Sequence, residues 1–197
     1  GSLYAISERG SLYTIDGKQG RIICQYAHEP AIRQPIRLIP LLDNRLLVTG
    51  LAAGLVEVGA DKSCRPAQEQ RLLPPQSTVA DVLPLHDGRL VLSVWGQGAW
   101  ILENGRVQQV LTTKYGLRNN AVKFAFEDRE GNLFLSTYGG GLWQQVRGKF
   151  SHITEFDGLG NKDIWGITRL GDGTMRILSN TAIITDISPA GKAKVVD

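Results

Sequence analysis

The fold is decided by the stretch Val122-Lys-Phe-Ala-Phe-Glu-Asp-Arg-Glu-Gly-Asn-Leu-Phe-Leu-Ser-Thr-Tyr-Gly-Gly-Gly-Leu-Trp-Gln-Gln-Val146. The stretch from Val79 to Glu103 matches it position by position, apart from one extra residue in the first turn of the later copy. Residues 36–58 and 164–187 follow the same plan. Self-similarity of this kind indicates a tandem array of one structural unit.

Two landmarks fix the period of the repeat. A turn pair precedes the second strand of each copy, with spacings of 44, 43 and 42 residues, at Asp43-Asn44, Asp87-Gly88, Glu130-Gly131 and Asp172-Gly173. A second position opens the third strand, with spacings of 44, 44, 43 and 40 residues, at Gly10, Gly54, Gly98, Gly141 and Thr181. The sequence therefore contains five copies with a period of about 43 residues.

Each copy reads as four short strands separated by turns that contain Gly. An acidic residue followed by Gly between two apolar runs favours a hairpin, because Gly supplies the positive φ that tight hairpin turns require. Four strands in about 43 residues are typical of a blade of a β-propeller. We predict an all-β protein, a β-propeller segment over 1–197, with four-stranded antiparallel blades at about 36–70, 79–112, 122–155 and 164–196 and a partial blade at 3–27.

The two ends of the array carry a further expectation. The first copy begins at the turn before its second strand, so that its innermost strand is missing. An open array of blades leaves one apolar face uncovered at each end. We expect the chain to be part of a larger propeller, or to have its edge covered by another chain. Leu3 to Ile6 should present unpaired backbone groups, and the ends should self-associate or bind a second chain that completes the ring.

The composition excludes several classes of function. The net charge is +3, and Lys and Arg are scattered among Asp and Glu without a basic stripe for nucleic acid. No apolar run reaches the roughly 18 residues of a membrane-spanning helix. The histidines are isolated from one another, at His28, His86 and His152. We therefore predict no metal, no cofactor and no nucleic-acid partner.

The two cysteines of the sequence, Cys24 and Cys64, fall near the outermost strands of neighbouring copies. A disulfide requires Cα atoms within about 7 Å of each other. Adjacent outer strands of a propeller splay apart, so the spacing disfavours a disulfide between these two residues.

The fourth copy resembles the two-component regulator propeller repeat, which reads approximately G-L-x-x-N-x-V-x-x-I-x-x-D-x-x-G-x-L-W-I-G-T-x-G-G-G-L. The matching residues are Gly116, Leu117, Asn120, Val122, Asp128, Gly131, Leu133, Thr137, Gly139, Gly140, Gly141 and Leu142. Phe134 replaces the usual Trp, and Ser136 replaces the usual Gly. The fifth copy is similar from Gly158 to Ile167, whereas copies one to three keep the period but little of the motif.

The resemblance implies a periplasmic sensor propeller, the input region of a membrane-bound signal-transduction protein. Propellers of this family are similar to those that precede a histidine kinase, or sometimes a diguanylate cyclase, and neither output domain lies in this chain. The motif itself is structural, since its Gly and Asp positions build turns and its aromatic residue packs between blades. The resemblance therefore implies a class of function without a ligand.

The predicted binding surface is formed by the loops around the mouth of the channel, because loops placed by a rigid scaffold concentrate binding residues. Trp95 and Tyr138 precede the Gly-rich turns, where their rings could stack on a ligand such as a saccharide. Ordinary packing is the alternative for both rings. Asn120 is expected to cap a turn. The predicted ligand-binding residues are Trp95, Tyr138, Arg118, Asn119, Lys162, Asp163 and Trp165.

Two other segments are interpreted as turns. The Asp128-Arg-Glu-Gly-Asn segment resembles an acidic calcium loop, but the spacing before its Gly is short and no bidentate Glu follows. The Tyr138-Gly-Gly-Gly segment could cradle a phosphate only with a helix N-terminus and a Lys, and the sequence provides neither there.

Three functions remain open. The leading hypothesis is a ligand-sensing or protein-interaction module rather than an enzyme, because no Ser, His and acid share a recognisable nucleophile context. The alternative is a propeller enzyme similar to the streptogramin lyases, which requires a channel-facing His and a metal-coordinating Glu. The third is a purely structural scaffold, which would have no well-formed polar pocket at the channel mouth.

Overall fold

The chain folds into five antiparallel sheets that follow one another along the sequence, and the predicted all-β propeller fold is confirmed. Each sheet is one blade, and the blades are not closed into a ring. The computed structural model describes residues 3–7, 11–16, 19–25, 33–41, 45–51, 55–59, 61, 63–146 and 149–196.

The strands are short, and each pairs with the next along the chain. Blade 1 contains β1 (Leu3–Ile6), β2 (Ser11–Asp16) and β3 (Gln19–Gln25). Blade 2 contains β4 (Arg33–Pro40), β5 (Leu46–Leu51), β6 (Leu55–Val58) and β7 (Cys64–Pro66). Blade 3 contains β8 (Val79–Pro84), β9 (Leu90–Val94), β10 (Gly98–Glu103) and β11 (Arg106–Leu111).

The last two blades repeat this order. Blade 4 contains β12 (Val122–Glu127), β13 (Leu133–Thr137), β14 (Gly141–Val146) and β15 (Lys149–Ile153). Blade 5 contains β16 (Ile164–Arg169), β17 (Met175–Ser179), β18 (Ile184–Ile187) and β19 (Ala193–Val196). The helical segments among the described residues are short 3-10 turns, at Gln68–Leu72, Thr113–Tyr115, Glu155–Asp157 and Asn180–Ala182. No helix among these residues is long and apolar enough to cross a membrane.

Turns built on Gly connect the first two strands of blades 3, 4 and 5. Gly88, Gly131 and Gly173 adopt φ values of 89°, 79° and 89°. Side chains other than hydrogen are disfavoured in this left-handed region. The acidic-Gly pairs therefore mark hairpin turns, as the sequence predicts.

The third strand of blade 5 begins later than the sequence predicts. Ser179 N donates a hydrogen bond to Ile183 O at 2.8 Å, so Ser179 pairs with Ile183 across the turn. In blade 4, Thr137 pairs with Gly141 across the equivalent turn. Ile183 is therefore the equivalent of Gly141, and the assignment of Thr181 is wrong. Thr181 adopts a φ of 64° inside a 3-10 turn, and this turn has no Gly to mark the start of the strand. The corresponding markers of the first two copies lie outside the described residues, at Gly10, Gly54 and Asp43-Asn44.

Apolar side chains fill the space between each pair of neighbouring blades. Four clusters of buried residues lie at the four interfaces, and each combines side chains of two consecutive blades. Between blades 3 and 4, Leu111 and Val91 pack with Leu135 and Trp143. Burial of this kind stabilises the array by about 25 cal/mol for each Å² of apolar surface removed from water.

The innermost strands of blades 3, 4 and 5 are bulged at one shared position. In blade 4 the pairing register skips Lys123 between Val122 and Phe124. The skipped residues at the same place in blades 3 and 5 are Ala80 and Trp165. A β-bulge redirects the side chain of the extra residue and is found frequently beside binding sites.

The expectation about the cysteines is wrong, because Cys64 is disulfide-bonded. Cys64 lies at the start of β7, the outermost strand of blade 2, and the geometry there brings a sulfur within bonding distance despite the splay expected between outer strands. The side chain of Cys24 lies outside the part of the chain that the structure describes.

Candidate functional site

Three exposed aromatic side chains from consecutive blades lie on one face of the array. They are Trp95 of blade 3, Tyr138 of blade 4 and Trp165 of blade 5, which are 43%, 48% and 52% exposed. The ring centres of Trp95 and Tyr138 are 5.7 Å apart, and the two planes are tilted by 58°. We call these three residues the aromatic row.

Backbone hydrogen bonds fix the positions of the first two rings. Trp95 N donates to Thr78 O at 2.9 Å, and Tyr138 N donates to Ala121 O at 2.9 Å. Each bond ties the turn after the second strand to the residue just before the first strand of the same blade. The two rings are therefore held at equivalent places in blades 3 and 4.

Lys123 connects the row to blade 5. Its Nζ atom lies 4.7 Å from the ring centre of Tyr138 and 3.9 Å from the ring of Trp165. An ammonium group over an aromatic face is attracted by the negative charge of the π system. Lys123 therefore fixes two rings of the row relative to each other.

The charge of Lys123 is balanced by a buried carboxylate. Lys123 Nζ donates a hydrogen bond to Asp163 Oδ1 at 2.9 Å, and each of these side chains is 11% exposed. Asp163 Oδ2 accepts a second hydrogen bond from Asn180 Nδ2 at 3.3 Å. Asp163 belongs to the loop before β16, so this ion pair joins blade 4 to blade 5.

The bulge explains how these side chains come together. Lys123 and Trp165 are the extra residues at the same register position of successive inner strands. The bulge turns both side chains toward the same face as Tyr138, which alternation along a regular strand would not do. The site is therefore a product of the repeated bulge and of the turns beside it.

The structure brings together five of the seven residues predicted from the sequence. Trp95, Tyr138, Trp165 and Asp163 belong to the cluster just described. Asn119 lies beside it, because its Nδ2 atom donates to Tyr138 O at 2.6 Å while its Oδ1 atom accepts from Ala121 N at 2.8 Å.

The other two predicted residues, Arg118 and Lys162, are not part of the cluster. The charge of Arg118 acts toward the outer strand β15, where burial and then Arg118 lower the pKa of His152. Lys162 contributes its carbonyl oxygen, which accepts from Gly141 N at 2.8 Å. Its side chain makes no hydrogen bond or ion pair within the described part of the chain. Both side chains are exposed.

Two turn interpretations are supported by hydrogen bonds. Asn120 Oδ1 accepts from Thr113 N at 2.7 Å, so Asn120 caps the turn before β12. Asp128 Oδ1 accepts from Glu130 N at 3.0 Å and from Asn132 N at 2.8 Å. The acidic segment that begins at Asp128 therefore builds a hairpin turn with its own carboxylate.

Of the three histidines, His86 lies in the turn after β8 and His152 lies on β15, whereas His28 is outside the described residues. Among the residues that the structure describes, no group of three or more His, Cys, Asp or Glu side chains could hold a metal ion.

Sequence reasoning missed Lys123, which is the centre of the cluster. The signal was a lysine inside an otherwise apolar inner strand, between Val122 and Phe124. A charged residue is almost never buried without a partner. The partner, Asp163, is remote in sequence, so only the packing of blade 4 on blade 5 identifies the pair.

The arrangement is suited to binding. The exposed rings present apolar faces beside the paired charges of Lys123 and Asp163, and Lys123 holds the rings of Tyr138 and Trp165 in place before a ligand arrives. Preorganised rings lose little conformational entropy on binding. Exposed aromatic rings of this kind can stack on the apolar face of a ligand.

No protein-family model matches the sequence, and no curated protein matches it either. Solved structures do match. The extracellular domain of BT4673 from B. thetaiotaomicron, described as part of a hybrid two-component system, is 11% identical with a TM-score of 0.78. That match covers 100% of this chain and 29% of the BT4673 chain. This chain therefore spans less than a third of that domain.

Two further structures are similar. Streptogramin B lyase is 14% identical with a TM-score of 0.73, over 100% of this chain and 65% of the lyase chain. PorZ, a surface component of the type-IX secretion system of Porphyromonas gingivalis, is 12% identical with a TM-score of 0.61, over 92% of this chain and 31% of PorZ. At these identities the matches show the fold, and the class of protein that follows is a β-propeller segment.

Proposed function

We propose that the chain is the ligand-sensing part of an extracytoplasmic propeller, with the aromatic row as the surface that binds a saccharide. The observation that carries the proposal is the alignment of three exposed rings from three consecutive blades, two of them held by one buried lysine. Isolated exposed aromatic residues are common, but here Lys123 contacts two of the rings and the third ring, Trp95, packs against Tyr138, so the three form one continuous surface.

The proposed role in signalling rests on two supports. The repeat of blade 4 resembles the two-component regulator propeller, and the extracellular domain of BT4673 has the same fold. The finer proposal is that this segment belongs to the periplasmic input region of a histidine kinase or diguanylate cyclase. The disulfide of Cys64 supports an oxidising compartment, because disulfides persist outside the cytoplasm.

The test is a titration of the purified chain with a panel of neutral oligosaccharides, in which binding is monitored by tryptophan fluorescence. Two tryptophans belong to the row, so a stacked sugar ring should change the emission. The Trp165→Ala variant should bind the same sugar at least about tenfold more weakly, since a lost stacking contact costs roughly 1.4 kcal/mol or more.

The matched control is Tyr115→Ala. Tyr115 is 53% exposed, and a lysine, Lys114, lies 5.6 Å from its ring, but it lies outside the row. This variant should bind sugar like the unmodified chain. Equal affinities of the Trp165→Ala variant and the unmodified chain would overturn the proposed site. If no sugar binds and Trp165→Ala instead weakens the binding of a protein, the row is a protein-interaction surface.

A propeller enzyme is the second candidate, and the observation that favours it is the fold shared with streptogramin B lyase. Incubation of the chain with a streptogramin B antibiotic and a divalent metal ion, followed by mass spectrometry, separates the two functions. Ring opening of the antibiotic would favour the enzyme, and its recovery unchanged would favour the sensor.

A further inference from the structure

The innermost strands form a second surface, which lines a cavity large enough for a small ligand. A cavity of about 470 Å³ is lined by residues of β4, β8, β12 and β16, which belong to four different blades. The residues that line it are mostly apolar. Arg37 and Asp81 are the charged residues among the described residues of this lining.

Arg37 and Asp81 occupy the same register position in neighbouring blades. Arg37 pairs with Thr49 in blade 2, and Asp81 pairs with Ser93 in blade 3, in each case directly after the irregularity in the inner strand. Phe124 takes this position in blade 4. A cation, an anion and an aromatic ring thus follow one another along the wall of the cavity.

Asp81 is committed to holding Arg37. Its side chain is 1% exposed, and its Oδ1 atom accepts a hydrogen bond from Arg37 Nη1 at 2.6 Å. Its Oδ2 atom accepts from the backbone N of Ala125 in blade 4 at 3.1 Å. Both carboxylate oxygens are therefore occupied, and Asp81 ties three consecutive blades together.

Arg37 is only partly occupied by these contacts. Its side chain is 46% exposed, and its guanidinium carbon lies 5.9 Å from the ring centre of Phe124. Within the described part of the chain, Asp81 is its hydrogen-bond partner, and that bond uses one of five guanidinium N–H groups. The remaining N–H groups of the Arg37 guanidinium are available to a molecule in the cavity.

We propose that Arg37 binds the carboxylate of a ligand in this cavity and that Asp81 is its positioning residue. A guanidinium binds a carboxylate through two parallel hydrogen bonds, and its fixed fork makes the contact specific. This subsite is separate from the aromatic row and goes beyond the saccharide-binding function proposed for that row.

The affinity of the subsite should depend on pH. Burial raises the pKa of Asp81 to about 6, against the opposing effect of Arg37. Below that pH the proton on Asp81 removes the competing negative charge, so Arg37 attracts a ligand carboxylate more strongly. No other charged residue is among the described residues that line the cavity.

The test uses formate as the probe and formamide as its neutral control of the same shape. Backbone amide shifts of the whole chain are followed by NMR as each compound is added to about 50 mM. Formate should shift amides of β4, β8 and β12, and formamide should not. The formate affinity should be higher at about pH 5 than at about pH 7.5, because a simple carboxyl group titrates near 4 and formate stays charged.

The decisive variant is Arg37→Lys, which keeps a cation beside the buried Asp81 and so preserves the fold. It should bind formate at least about tenfold more weakly, because the planar fork is lost. Arg89→Lys is the matched control, since Arg89 is 40% exposed and paired with an aspartate outside the cavity. Unchanged shifts in Arg37→Lys, or shifts with formamide equal to those with formate, would overturn the proposal.

A failure of this subsite is distinguishable from a failure of the aromatic row. Trp165→Ala should leave the formate shifts unchanged, whereas Arg37→Lys should leave the response to neutral sugars unchanged. Loss of both responses in either variant would show a change in the fold, and far-UV circular dichroism of each variant reports that directly.

Discussion

Lys123 shows at the scale of one residue how the candidate site depends on a buried charge. The Lys123→Met variant leaves the Asp163 carboxylate buried without its cation, although Asn180 still donates to it. Breaking a buried ion pair costs about 3 kcal/mol or more. We expect a loss of this size in the free energy of unfolding, measured by urea denaturation.

A double variant separates the ion pair from general packing. Lys123→Met combined with Asp163→Asn removes both charges and keeps a polar group for Asn180. It should recover more than half of the stability that Lys123→Met loses, as expected for two coupled residues. Additive losses in the double variant would show that the two charges do not interact.

Gly141 illustrates a backbone constraint at a single residue. Its φ is 78°, and a Cβ atom placed there would lie 2.7 Å from the carbonyl oxygen of Ile153. Gly141→Val should therefore reduce the free energy of unfolding by more than about 2 kcal/mol. Thermal denaturation followed by circular dichroism measures this.

The control for this prediction is Gly139→Val, two residues earlier. Gly139 has a φ of 70°, but nothing lies within 4 Å of its added Cβ. This variant should show only the cost of the left-handed backbone, about 1 kcal/mol. Equal melting temperatures for the two variants would contradict the role given to the Ile153 carbonyl.

Asp81 makes a prediction about pH. Its folded-state pKa of about 6 lies above the value near 3.9 of an unfolded chain. The folded protein therefore holds a proton that the unfolded chain has released, and stability falls as the pH rises from about 4 through about 6.

The Asp81→Asn variant isolates the effect of Asp81 on the pH dependence of stability. A comparison with this variant is needed because carboxylates with a lowered pKa make the protein more stable, not less, as the pH rises. Hydrogen bonds from Thr154 lower the pKa of Asp157, for example. Urea unfolding at several pH values should show that the unmodified chain loses more stability than Asp81→Asn between about pH 4 and about pH 6. Parallel curves would contradict the raised pKa.

At the scale of strands and sheets, the local turn chemistry and the apolar pattern agree in blades 3 and 4. For blade 4 the sequence predicts a four-stranded blade at about 122–155, and the structure has four strands there, from β12 at Val122–Glu127 to β15 at Lys149–Ile153. Agreement of local signals with the global fold makes these elements predictable. The predicted start of the third strand is wrong in blade 5, because the turn before that strand contains no Gly to mark it.

The disulfide at β7 gives a prediction for one element. Cys64→Ser removes the cross-link from the outer strand of blade 2, and a disulfide contributes about 2 to 4 kcal/mol to stability. We expect a lower melting temperature for the variant under oxidising conditions. Addition of a reductant should lower the melting temperature of the unmodified chain and leave that of Cys64→Ser unchanged.

At the scale of the whole molecule, the open array leaves the outer face of blade 5 exposed. Leu178 is 44% exposed and Val196 is 38% exposed on this blade. At the other end, β1 pairs with β2 alone within the described residues. Exposed apolar side chains on a sheet face and an open strand edge both favour association.

We predict that a second copy of the chain covers the face of blade 5 in solution. Sedimentation velocity should show species larger than a monomer as the concentration rises, and Leu178→Asp should shift the distribution toward the monomer. Phe156→Asp is the control, because Phe156 is 99% exposed and lies in the 3-10 turn that connects blades 4 and 5 rather than on a strand of blade 5. A monomer at every concentration would contradict the prediction.

The sequence by itself determined the repeat, the strands and most of the turns, because these depend on spacing, alternation and the φ preference of Gly within one copy. It also identified the exposed rings of Trp95, Tyr138 and Trp165. Only the tertiary structure decided which charges meet. Lys123 with Asp163, and Arg37 with Asp81, are separated by about one repeat in sequence, and their pairing depends on the bulge and on the packing of one blade against the next.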